Sequence, residues 1–250
     1  MKKGLFAVLI ALIVLAISVG FDGAISNGEP DGDNHLYVAY INDGTWECSG
    51  SAISSTVLVT AAHCFDSADV FVAFDPEPPF TYYTGTWYPD PDWCLGCGGG
   101  LPGFDRYDVA VVVLDAPVEL SRYADLPSEF QVDTLANNTD IDLVGCGVQF
   151  DYVGGPRIPY DGAFTRYCAQ SQLVDRNHVH SDEYIKLTAN PSKGKGGTCF
   201  GDSGGPDLLG GADIILAVNS YVTNENCAGV TYSNRIDTYA LDFIGGFLNL

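Results

Sequence analysis

"GGTCFGDSGGP", Gly196 to Pro206, sets a single serine, Ser203, among glycines with Asp202 immediately before it. A serine hydroxyl is a poor nucleophile at neutral pH, so it works only with a base to take its proton and a third group to hold that base. Four histidines could supply the base: His35, His63, His178 and His180. His63 follows a strand-like run in "VTAAHC" (59–64), whereas His178 and His180 lie in the polar stretch "DRNHVH" (175–180). Taken singly, each reads as a surface or structural histidine, and the alternation His-Val-His as one solvated strand face.

Outward from this stretch, short apolar or alternating runs recur at 36–41, 49–53, 57–60, 70–74, 109–114, 141–146, 164–169, 184–187 and 214–218. Their separators are rich in Gly, Pro, Asp and Asn, a pattern that predicts an all-β barrel or sandwich. A helical period occurs only near the C-terminus, where Ile236, Tyr239, Ala240, Phe243, Ile244, Phe247 and Leu248 recur at three- and four-residue spacing, and Asp237 or Thr238 is the expected cap. Gly245 and Gly246 weaken this helix, so its apolar face must dock on the barrel. Two long connections, 75–106 and 151–162, are expected to rim a site or shield an edge.

The chain has 250 residues, enough to bury a substantial core. Residues 1–20 open with Lys2 and Lys3, run apolar from Leu5 and end in Ser18-Val19-Gly20, which reads as a cleaved export signal, with an uncleaved membrane anchor as the competing reading. The formal charge is -21, and loss of the two lysines in residues 1–20 takes it to about -23. So acidic a surface argues against nucleic-acid binding and fits a soluble exported protein. Eight cysteines in an exported chain read as four disulfides, with 105 pairings open. Cys94-Leu-Gly-Cys97 has the spacing of half a zinc site or of a redox pair, but it lacks a second pair and a helix to follow it, and reads as a short local disulfide.

"VTAAHC" at 59–64, "DVAVVVLDAPV" at 108–118 and "GDSGGP" at 201–206 occur in that order. Together they resemble the trypsin- and chymotrypsin-like serine peptidase family, and the resemblance runs from about Ile25 to the C-terminal helix. It implies an all-β fold of two six-stranded antiparallel β-barrels with a C-terminal α-helix. The expected division is a signal peptide at 1–20, a short pro-segment at 21–24 and one peptidase domain at 25–250. Within that domain the barrels are expected at about 25–130 and 131–235, and the helix at 237–249.

The resemblance also implies a secreted serine endopeptidase with no metal or other cofactor in its chemistry. His63 is the general base, Asp108 the carboxylate that orients it and Ser203 the nucleophile, with backbone N–H groups of Gly201 and Ser203 as the oxyanion hole. These roles are those of the family's known triad. Ser220 matches the serine that hydrogen-bonds the triad aspartate. Cys48 with Cys64 and Cys199 with Cys227 match family disulfides, Cys146 and Cys168 are expected to pair across neighbouring strands, and Cys94 pairs with Cys97. Ile25, at the head of "ISNG", matches the new N-terminus that pairs with Asp202 on activation, although Ala24 stands where most relatives have Arg or Lys.

The substrate pocket is assigned to Gly197, Thr198, Ser220, Tyr221, Val222 and Gly229. Gly197 occupies the position where trypsin-like members carry an aspartate, and Val222 falls where most have glycine, so small apolar residues are the expected P1 preference. The expected partners are protein or peptide substrates, with no nucleic acid, no stable membrane association after signal cleavage, and a monomeric state. The competing reading is a peptidase-like binding protein without turnover. A structural calcium ion at Asp75 and Glu77 is left open, and Asn137-Asn138-Thr139 is a glycosylation sequon.

Overall fold

Val57-Leu-Val-Thr60 and Ala110–Leu114 are β-branched and apolar almost throughout, which suits strands covered on both faces. The computed structural model describes residues 25–97, 105–147, 150–151, 158–159, 164–176, 182–224 and 227–248, and in it these two runs pair antiparallel. The segments expected as signal and pro-segment, together with His178 and His180, lie outside the described residues.

In chain order the first half forms β1 (Glu29–Pro30), β2 (Val38–Asn42), β3 (Glu47–Ala52), β4 (Val57–Thr60), β5 (Asp69–Ala73), β6 (Tyr82–Pro89) and β7 (Ala110–Leu114). The second half forms β8 (Asp140–Gly145), β9 (Phe150–Asp151), β10 (Ile158–Pro159), β11 (Tyr167–Asp175), β12 (Tyr184–Ala189), β13 (Pro206–Leu209), β14 (Ile215–Val222) and β15 (Gly229–Arg235), followed by α1 (Tyr239–Gly245). Strands β2-β3-β4-β7-β6-β5 close into one antiparallel barrel. Strands β11-β12-β15-β14-β13-β8 close into a second through the β8–β11 pairing, with β1 added at β11. The all-β architecture with a C-terminal helix is therefore as the resemblance implies.

Of the twelve strands that form the two barrels, three escape the sequence pattern. β6 lies inside the connection expected at 75–106, because prolines on both sides hide a run in which Gly85 and Trp87 turn inward. β13 begins with proline, which a strand tolerates at its first residue, and buries an aspartate, Asp207. β15 carries Thr231, Ser233, Asn234 and Arg235, all buried, so it shows no apolar alternation to read. The helix is shorter than its period suggests. Thr238 stands at the cap without a side-chain bond, and Asp237 instead receives Arg235 and the Val132 N–H (2.7 Å).

The expected Cys146–Cys168 disulfide is corrected: both thiols are free. The register sets Cys168 opposite Val144 and Tyr167 opposite Gly145, which leaves Cys146 level with Arg166. The two cysteines are thus diagonal neighbours, about 7–8 Å apart, whereas a disulfide needs Cα atoms within about 6.8 Å. Burial pushes both thiols up to about 12. Disulfides join Cys48 to Cys64, Cys94 to Cys97 and Cys199 to Cys227.

One apolar core runs from the first barrel into the second. It joins Ile41, Leu58, Val72 and Val111 to Val144, Leu208, Ile215 and Val218, and α1 seals it with Ala240 and Ile244. A buried polar cluster crosses the same boundary. Arg166, fully buried, bonds Asp31 (2.9 Å) and the carbonyls of Gly32 (2.6 Å), Val38 (2.9 Å) and Phe74 (3.1 Å), while the His35 ring holds the other Asp31 oxygen (2.6 Å).

Candidate active site

His63 leaves β4 on the turn pinned by the Cys48–Cys64 disulfide, and Asp108 lies just before β7, the strand paired with β4. Strand pairing therefore brings together two residues 45 positions apart. Asp108 is fully buried and bound twice to the same residue: Oδ1 accepts the His63 backbone N–H (2.9 Å) and Oδ2 faces Nδ1 of the ring (2.8 Å). Ser220, on β14 of the second barrel, donates its hydroxyl to the same Oδ2, and Tyr184 reaches Ser220 (3.4 Å).

Burial opposes charge on both members of this pair, and each member overrides it for the other. The Asp108 carboxylate and its hydrogen bond hold the His63 imidazole above its ordinary 6.5, with Asp105 adding to the effect. The His63 charge and hydrogen bond, with Ser220, hold Asp108 below the usual 3.8.

Ser203 sits on the loop before β13 and is positioned by Ser49 of β3. The Ser49 N–H donates to the Ser203 carbonyl (2.8 Å), its hydroxyl donates to the Gly201 carbonyl (3.0 Å), and the same hydroxyl accepts the Cys146 N–H (2.9 Å). Thr60 in turn donates to the Ser49 carbonyl (2.7 Å). Gly204 is required here: its φ is +76°, and a Cβ would lie 2.1 Å from Thr60 Oγ1 and 2.5 Å from the Ser49 carbonyl oxygen. The Gly201 and Ser203 amides enter no backbone hydrogen bond with another described residue.

His63 and Ser203 face the same two cavities. One, of about 230 Å³, is lined by Thr198, Cys199, Phe200, Asn219, Ser220, Tyr221 and Val222; the other, of about 480 Å³, lies towards Thr45, Trp46, Glu47 and Phe65. No hydrogen bond joins Ser203 Oγ to the ring, whose Nδ1 is engaged by Asp108.

Of the residues assigned to the pocket, Thr198, Ser220, Tyr221 and Val222 line the smaller cavity, whereas Gly197 and Gly229 do not. Gly197 is held against Ser26: its backbone pairs with that residue, and a Cβ would meet that of Ala189 at 2.2 Å. Gly229 pairs with Ala189 at the far edge of β15. Ile25 is fully buried in the core of the second barrel. Asp202, also fully buried, accepts the Cys199 (2.8 Å) and Gly147 (3.0 Å) N–H groups, and burial pushes its carboxyl up to about 7.

Asp75 accepts the Thr81 N–H (2.6 Å), Glu77 is exposed, and neither belongs to a cluster of three potential metal-binding side chains among the described residues. Two features escaped the sequence: Ser49, whose role depends on the docking of two barrels, and Asp105, close to His63 and Asp108.

The trypsin family profile matches residues 25–242. The chain is similar to chymotrypsin-like elastase family member 1 of Macaca fascicularis, 27% identical over 228 residues covering 82% of this chain and 80% of that protein. It is also similar to trypsin alpha of Drosophila melanogaster, 25% identical over 205 residues covering 79% and 74%. Among solved structures, one named HL collagenase is 21% identical and superposes with a TM-score of 0.67 over 90% of this chain and 98% of its own.

Proposed function

The chain belongs to the trypsin family and is a serine-type endopeptidase, and from that premise we propose that it is exported, matures at Ile25 and cuts after small apolar residues. Ser203 Oγ attacks the peptide carbonyl as His63 takes its proton, and Asp108 stabilises the imidazolium. The Gly201 and Ser203 N–H groups receive the oxyanion, where one donor is worth about 2.7 to 4 kcal/mol. His63 then returns the proton to the leaving amine, and water releases the acyl group from Ser203.

The observation that carries this reading is the shared cavity: Ser203 and a His63 ring bound to buried Asp108 meet in one cleft. The P1 preference is supported by the cavity's small volume and by Tyr221 and Val222 on its wall, with no acidic side chain among the described lining residues. Maturation at Ile25 is supported by a buried Asp202 that lacks a cation among its described partners. A free α-ammonium at Ile25 would supply one and keep the carboxylate ionised. Export rests on residues 1–20 and the three disulfides. Among the described residues no helix is long and apolar enough to cross a membrane. A monomer of one peptidase domain at 25–250, with signal 1–20 and pro-segment 21–24, completes the proposal; residues 25–30 join the second barrel, not the first as the sequence suggested. A fold without turnover has no observation in its favour.

The test is digestion of a diverse peptide library, with Ser203→Ala as control. Cuts after Ala or Val that the control lacks are expected; cuts after Arg or Lys would overturn the pocket reading alone. Wild type is expected to begin at Ile25, and Ser203→Ala to keep Phe21 if the enzyme cuts its own Ala24–Ile25 bond.

A further inference from the structure

Asp105 is a buried carboxylate for which the triad has no use. An imidazole nitrogen of His63 and one carboxylate oxygen each from Asp105 and Asp108 lie within 4.8 Å of one another. Asp105 is 9% exposed; burial, with the Asp108 charge beside it, raises its carboxyl above the usual 3.8 against the Gly96 N–H and His63, which lower it, and a charge at this place is only partly screened by water.

Its neighbours hold it there. The Cys94–Cys97 disulfide closes a tight loop in which the Gly96 N–H donates to Asp105 Oδ1 (2.6 Å). Cys94 and Arg106 exchange both backbone hydrogen bonds (3.0 and 3.1 Å), tying the loop to the residue after Asp105. Tyr184 of β12 donates its hydroxyl to the Asp105 carbonyl (2.7 Å). Arg106, the adjacent cation, is turned away to Glu183 (2.9 Å). Tyr107 takes a left-handed turn (φ 57°), which a tyrosine adopts only under constraint, between the two aspartates. The ionisable groups facing this spot are therefore His63, Asp105, Asp108 and the Tyr184 hydroxyl.

We propose that Asp105 is a second acidic partner of His63, a positioning residue held by the Cys94–Cys97 loop, whose charge raises the pH at which the imidazole becomes free to act as base. This rests on reading His63 as the general base. The loop that the sequence left as a local staple thereby acquires a connection to the reaction.

The test is an NMR titration of the His63 ring in Ser203→Ala protein, with and without Asp105→Asn, a measurement that needs no turnover. The asparagine keeps an acceptor for Gly96 while removing the charge, and the imidazole midpoint is expected to fall by about one pH unit. Asp105→Ser serves the same purpose if the amide variant does not fold, and Asp105→Glu is expected to restore the midpoint. Cys94→Ser/Cys97→Ser is expected to move it the same way by a smaller amount. An unmoved midpoint in both charge-removing variants overturns the proposal; a double-serine variant with lower thermal stability and an unmoved midpoint overturns the part assigned to the loop. In active enzyme, the acid limb of kcat/KM is expected to follow the NMR midpoint. Protein that cuts no substrate at any pH would overturn the functional reading and leave the midpoint to decide this one.

Discussion

Replacing Arg166 with leucine is expected to cost about 3–5 kcal/mol, the penalty for breaking a buried ion pair by removing one partner. In the folded protein the guanidinium serves one carboxylate and three carbonyls, and both it and Asp31 have fully buried side chains. After substitution Asp31 keeps His35 and the Cys168 thiol but no permanent cation, and the carbonyls of Gly32, Val38 and Phe74 lose their donor, each at about 1–3 kcal/mol if water cannot reach it. Leucine regains part of this through apolar burial, which favours the lower end of the range. At about 2–4 °C per kcal/mol for a domain of this size, the melting temperature falls by about 6–20 °C. Calorimetry in a Ser203→Ala background avoids autolysis. The loss is expected to depend on pH in a defined direction. Burial raises Asp31, but His35 and then Arg166 outweigh it and hold the carboxyl below 3.8, so its stabilising contribution is present above 3.8 and lost as pH falls through the lower folded value. The gap between wild type and variant must therefore narrow below about pH 4. A loss under 1 kcal/mol at pH 7, or a gap that stays constant into acid, would refute the cluster as a cross-barrel clamp.

Because His63 must be neutral to accept a proton, and Asp108 holds its affinity above the ordinary 6.5, kcat/KM is expected to rise with pH through an ionisation above 6.5; a limb at or below 6.5 would contradict the geometry. Gly204→Ala combines a positive φ with contacts to backbone atoms that cannot yield, and is expected to lose about 2–5 kcal/mol of stability and about 100-fold in kcat as Ser203 shifts. Chemical unfolding and burst kinetics would measure the two effects. Val222→Gly opens the 230 Å³ cavity and is expected to raise kcat/KM for leucine or phenylalanine at P1 by about tenfold or more relative to alanine. An unchanged ratio would remove Val222 from the specificity wall.

Much of the molecule was legible where chemistry and periodicity coincide. β4 and β7 are apolar enough to be read as strands, and their pairing is what brings His63 to Asp108. β15 was illegible because Thr231, Ser233, Asn234 and Arg235 are buried between β12 and β14, so its polarity contradicts its environment. The Cys146–Cys168 pairing failed on a displacement of two residues in register, which adjacency of strands alone cannot reveal. Gly197 was placed by its distance from Ser203, whereas it does not line the cavity and a Cβ there would run into Ala189.

Ser49 and Arg166 escaped for a common reason. Each is an ordinary polar residue whose partners lie across the boundary between barrels, and the geometry of that boundary is not a property of any local segment. Apolar burial alone would hold the barrels together without fixing their relative rotation, since it is non-directional. Hydrogen bonds are directional, and here they run from Ser49 to the Ser203 and Gly201 carbonyls and from Arg166 to Val38 and Phe74. His63 belongs to one barrel and Ser203 to the other, so their approach is only as exact as that rotation. The polar contacts at the boundary therefore carry a requirement of the site that the motifs themselves cannot meet.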